Sequence, residues 1–171
     1  MSTGIRLYSL TFSQAKTYII TFLFIAGNIL LPFLCHSIPQ GGAIFLPIYF
    51  FTFLGAYKYG LKPGLLIAVL SPVLNHLLTG MPPLSFLPVI LGKSCLLAIA
   101  ASYTAKRFQK LNLVLLTAVV LFYQSAGFFF EWGFTGDLFR ATQDIRLALP
   151  GILIQIFGIY GILKVMKRFG Y

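Results

Sequence analysis

Residues 111–130 read LNLVLLTAVVLFYQSAGFFF, twenty positions without an acid, a lysine, an arginine or a histidine. At about 1.5 Å per residue, roughly twenty apolar residues in a helix cross the ~30 Å hydrocarbon core of a bilayer. In water such a segment must bury nearly its whole surface. In lipid it has only to satisfy its own backbone hydrogen bonds, which a helix does. The stretch predicts a membrane span.

Further apolar runs lie at about 17–35, 43–57, 64–78, 84–103 and 147–166. They are separated by the turn-rich segments HSIPQGG (36–42), KYGLKP (58–63) and TGMPP (79–83). The expected fold is an all-α membrane protein, a single bundle of six transmembrane helices with residues 1–171 forming one domain. Composition agrees: 58% of residues are hydrophobic and 9% charged, whereas a soluble domain carries about 25% charged residues. The runs 43–57 and 64–78 are short for a full crossing, so they are expected to be tilted, in thinned bilayer or partly re-entrant. Met1–Lys16 is mixed and polar, and the apolar run after it continues to Pro32, which predicts a retained helix and no cleavable leader.

A net charge of +10 would suggest nucleic acid in a soluble protein. Its distribution argues otherwise. With the N-terminus inside, the inner segments hold Arg6, Lys16, Lys58, Lys62, Lys106, Arg107, Lys110, Lys164, Lys167 and Arg168, and the outer segments hold Arg140 and Arg146. Basic residues stay on the cytoplasmic side, so both termini are expected there. Topology and anionic headgroups then account for the charge, with no nucleic-acid partner. All three acids, Glu131, Asp137 and Asp144, fall in the last outer segment or at its edge.

Lys93, midway along the fourth run, is the most informative residue. A lysine at a span centre costs about 2.5–3.5 kcal/mol on insertion scales. Either it lines a pocket and meets an anionic group, such as a substrate carboxylate, or it pairs with a helix carbonyl or reaches an interface. Asn75 and His76, near the outer end of the third run, suit either a ligand or a helix cap. Glu131 and Trp132 follow the triple phenylalanine 128–130. Glu131 suits Lys93 or a ligand, and Trp132 equally suits an interfacial aromatic belt. Gln124 lies two turns before Glu131 on the same face. These six are the candidate substrate-binding residues. Asn28 is a further candidate, and Gln155 suits a neighbouring helix as well as a ligand. Cys35 and Cys95 have no metal-ligand spacing and read as small buried hydrophobes. HExxH, GxSxG and GxxxxGK[ST] signatures do not occur. No catalysis, metal or cofactor is expected, and ATP-driven work would need another subunit.

Three stretches carry a family resemblance: HSIPQGGAIFLPIYFFTFLGAYKYG (36–60), LKPGLLIAVLSPVLNHLLTGMPP (61–83) and LPGILIQIFGIYGILKVMKR (149–168). The chain resembles the substrate-binding S component of energy-coupling factor (ECF) transporters, the vitamin importers of prokaryotes. SPxxxxLLTGMPP is its most specific piece. The resemblance implies a six-helix protein of the prokaryotic plasma membrane that holds a water-soluble vitamin or related small molecule in its outer half. The ligand would sit under the loops joining spans one–two and three–four. It also implies a transmembrane coupling protein and two ABC ATPases as partners. The family's first helix often carries AxxxA toward the coupling protein. Here Ala26 is followed four positions on by Leu30, which departs from that pattern.

Two alternatives stand beside this reading. One is a membrane enzyme acting on lipid or prenyl substrates through Glu131, Asp137, Asp144 and His36. The other is an assembly protein in which Lys93 meets a partner helix.

Overall fold

Asn112 opens the helix that contains most of 111–130. Its side chain accepts a hydrogen bond from the Val114 backbone N–H at 2.9 Å, satisfying one of the donors a helix start leaves over. The helix then runs to Thr135, past the last phenylalanine, and Gly136 closes it with φ +68°, its N–H donating to Trp132 O. The computed structural model describes residues 7–35, 37–142 and 146–169, and expectations resting on Arg6, His36 and Asp144 lie outside them.

In chain order the helices are α1 (Ala15–Cys35), α2 (Gly41–Phe45), α3 (Phe50–Tyr59), α4 (Leu61–Thr79), α5 (Leu87–Phe108), α6 (Leu113–Thr135), α7 (Leu138–Ala141) and α8 (Leu149–Arg168). A 3-10 turn, Pro47–Tyr49, joins α2 to α3, and α8 contains a π-helical turn at Ile154–Gly158. Among the described residues α1, α4, α5, α6 and α8 are long and apolar enough to cross a membrane. The chain has the character of a multi-pass helical membrane protein.

Its surface agrees with that character. Phe22, Leu77 and Val114 are about 70% exposed or slightly more, whereas Asn28, Thr52, Ser71 and Gln155 are fully buried. Apolar side chains outside and polar ones inside is the arrangement lipid selects, because buried polar groups find partners in one another. Asn28 does this for three helices. Its Nδ2 donates to Thr52 Oγ1 at 3.0 Å and Ser71 Oγ at 3.2 Å, and its Oδ1 accepts from Phe51 N–H at 3.1 Å. Asn75 Nδ2 adds a bond to Asn28 O at 2.8 Å. These bonds fasten α1, α3 and α4 at one level. On the far side Tyr123 OH donates to Gln155 Oε1 at 2.9 Å, tying α6 to α8.

The expected second span, 43–57, departs most from its reading. Leu46 adopts φ +47°, Pro47 follows it, and the helix breaks into α2, the 3-10 turn and α3. The ten residues of α3 reach about 15 Å, half the depth of the hydrocarbon core. A break at that depth is tolerated only where protein covers it or a cavity is lined. Both hold: Leu46, Pro47, Ile48 and Tyr49 are buried, and all four border the cavity described below. α3 itself is enclosed by α1, α4 and α5, with Phe53, Ala56, Tyr57 and Lys58 at 1% exposure or less.

Two ends of the bundle differ in charge. Lys58, Lys62, Lys106, Arg107 and Lys110 gather where α3 meets α4 and where α5 turns into α6, and Tyr57 OH donates to Lys110 O at 2.7 Å across that end. Glu131 lies near the opposite end of α6, and Asp137 just beyond it.

Candidate functional site

At the end away from the basic cluster the bundle forms a half-open cavity of about 280 Å³. Each wall follows from a local feature of the chain. Pro32 and Phe33 come from the last turns of α1, and Leu46–Tyr49 from the break before α3. Thr79–Pro83 covers the end of α4. There Gly80 takes φ +70° and closes the helix on His76 O, while Thr79 Oγ1 donates to Asn75 O and accepts from Met81 N–H. The LLTGMPP motif is therefore a helix stop that delivers Met81, Pro82 and Pro83 to the cavity wall. Prolines 82 and 83 delay α5 to Leu87, after a turn in which Phe86 N–H donates to Pro83 O.

Most of the lining is apolar; Asn75, Lys93 and Glu131 bring an amide and two charges to it, and Thr79 and Tyr49 a hydroxyl each. Lys93 of α5 and Glu131 of α6 form a hydrogen-bonded ion pair, with side chains 2% and 5% exposed. Removing two charges from water costs several kcal/mol per ion, so neither residue would be stable here alone. Gly127, one turn before Glu131, makes the pairing possible. A Cβ at that position would stand 2.8 Å from Lys93 Cγ and 3.1 Å from Cε. The lysine stem thus lies in a groove that only glycine leaves open. Asn75 has its Nδ2 committed to Asn28 O and Ser71 O. Its Oδ1 has no donor among the described residues.

The structure thus brings Lys93, Asn75 and Glu131 together at one cavity. It places the other three candidates elsewhere. His76 turns its Nδ1 to Pro82 O at 2.8 Å, bracing the 79–83 segment from outside the lining. Gln124 is buried deeper in the bundle, its Nε2 without a partner among the described residues, and does not reach the cavity. Trp132 is 45% exposed and stacks on Phe128 at 6.4 Å between centroids, on the outer face of α6. Asn28 and Gln155 serve as ties between helices.

Sequence reasoning missed Tyr49 and Phe86, which also border the cavity. Pro47 in LPIY did not announce them, since Pro32 and Pro72 lie inside continuous helices of the same chain. The chain matches no protein-family model, no curated protein and no solved structure.

Proposed function

We propose that the chain is a substrate-capture subunit of an ABC-type importer, of the kind represented by the ECF S components. It would cross a prokaryotic plasma membrane six times with both termini cytoplasmic. The observation that carries this reading is the cavity, a half-open, mostly apolar cleft with a few polar groups, which is the usual form of a small-molecule site. It lies at the end remote from the cluster of Lys58, Lys62, Lys106, Arg107 and Lys110, and an excess of basic residues marks the cytoplasmic side. The cavity then faces the outside, where an importer meets its substrate. The segment 41–59 supports a sixth crossing, because it leads from the cavity end back to the basic end although its helix is broken. The sequence holds no ATP-binding motif, so the energy comes from a transmembrane coupling protein and two ATPase subunits. The ligand is a water-soluble vitamin or a molecule of similar size.

Purification from native membranes in mild detergent tests this directly. A coupling membrane protein and ATPases should come with the chain, and native mass spectrometry should find a retained small molecule. A chain that purifies alone and supports no uptake when co-expressed with such subunits would overturn the reading. Labelling that put the two chain ends on opposite membrane faces would overturn the topology.

A further inference from the structure

We infer that the ligand carries no net charge and presents an acceptor and a donor side by side, the acceptor to Lys93 and the donor to Glu131. This deepens the capture reading and rests on it for the cavity being a ligand site. From the lysine alone a carboxylate ligand is the natural expectation. The geometry removes that preference. Glu131 already neutralises Lys93, and both border the same cavity. An added carboxylate would meet Glu131 as well as Lys93, and an added cation would meet Lys93 as well as Glu131. Either brings an unmatched charge into a wall formed mostly by Pro32, Phe33, Tyr49, Pro82, Phe86 and Ile90. Burying a charge without its counter-charge is strongly unfavourable.

A neutral ligand avoids that penalty and still has polar contacts to make. An ammonium has three donors and a carboxylate about four lone-pair sites, so the bond that joins the pair exhausts neither group. Asn75, whose Oδ1 has no donor among the described residues, adds a second acceptor near a ligand N–H. An amide, lactam or urea edge offers the complementary C=O and N–H at adjacent atoms. The volume of about 280 Å³, at about 30 Å³ for each water-sized group, admits on the order of nine non-hydrogen atoms. One planar ring with an amide edge fills it, and the flat Tyr49 and Phe86 side chains suit such a ring.

Three isosteric probes separate the possibilities: benzamide, benzoate and benzamidinium share a shape and differ in charge. Their dissociation constants are measured by ligand-observed NMR on the protein in lipid nanodiscs. Benzamide should bind the parent at least tenfold more tightly than either charged probe. Glu131→Gln should reverse the order in favour of benzoate, and Lys93→Met in favour of benzamidinium. Benzoate binding the parent as tightly as benzamide would overturn the inference, and so would no binding of benzamide at millimolar concentration. The order in the parent decides the matter even where a variant fails to fold. Loss of the coupling partners with the probe order intact would sink the transport reading alone. Intact uptake with a flat or reversed probe order would sink this inference alone.

Discussion

Removing Lys93 should cost far more than removing Lys93 and Glu131 together. In Lys93→Met the carboxylate of Glu131, 5% exposed as a side chain, is left among apolar walls without the ammonium that neutralises it. Breaking a buried pair in this way costs about 3–5 kcal/mol, whereas replacing both members with apolar side chains of similar volume is neutral or stabilising by about 1–4 kcal/mol. For a chain of 150–250 residues each kcal/mol moves the unfolding midpoint by roughly 2–4 °C. Lys93→Met should therefore lower Tm by roughly 6–20 °C, and Lys93→Met/Glu131→Met should return it to the parent value or above. Trp132, the single tryptophan, adjoins Glu131 in the chain and packs on Phe128, so its fluorescence reports unfolding in nanodiscs without a label. A single variant that loses less than about 4 °C would refute the reasoning. So would a double variant no more stable than the worse of its two parents. In either case the pair would be wetter or looser than its burial implies.

Asn28→Ala removes three side-chain bonds and leaves the Phe51 N–H without its acceptor; the same melting assay should show a loss of about 2–4 kcal/mol, from about 0.5–1.5 kcal/mol for each bond. Gly151→Ala places a Cβ 2.5 Å from the Phe45 carbonyl carbon and 2.7 Å from Ile44 O. It should cost about 1–3 kcal/mol and weaken benzamide binding in the NMR titration, because α2 must move off the cavity. Trp132→Phe should leave the benzamide dissociation constant unchanged, since the indole faces outward; a tenfold loss would put that side chain in the site.

The ion pair was half legible in the sequence. A lysine in mid-span demands an anionic or polar partner, and the chain has only three acids, of which Glu131 directly continues an apolar run. Helical periodicity also put Gln124 on the same face as Glu131, but period fixes direction around the axis and says nothing of depth. Seven residues at about 1.5 Å each are enough to carry Gln124 below the cavity floor. His76 was ambiguous for a different reason: its acceptor is a backbone carbonyl, Pro82 O, and carbonyls leave no mark in a sequence. The long helices were readable from hydropathy because lipid imposes one requirement on every residue of a span. The run 43–57 read as too short for a full crossing, but the length of α3 within it did not show, since a helix wrapped by other helices is as apolar as one wrapped by lipid. The break at Leu46 was hidden as well, because a leucine at positive φ is not the residue type that announces such a turn.

The half-length of α3 also explains where the cavity comes from. Apart from Gly42 and Ala43 its walls are larger side chains, several of them aromatic or proline, so the hollow owes little to small residues. Room arises because one column of the bundle stops at Phe50 while its neighbours continue upward. The capacity of the site is thus set by a backbone length, in steps of about 1.5 Å per residue added to or taken from the start of α3. Changing which molecules fit would then call for moving the kink at Leu46-Pro47 along the chain, with the surrounding framework left untouched.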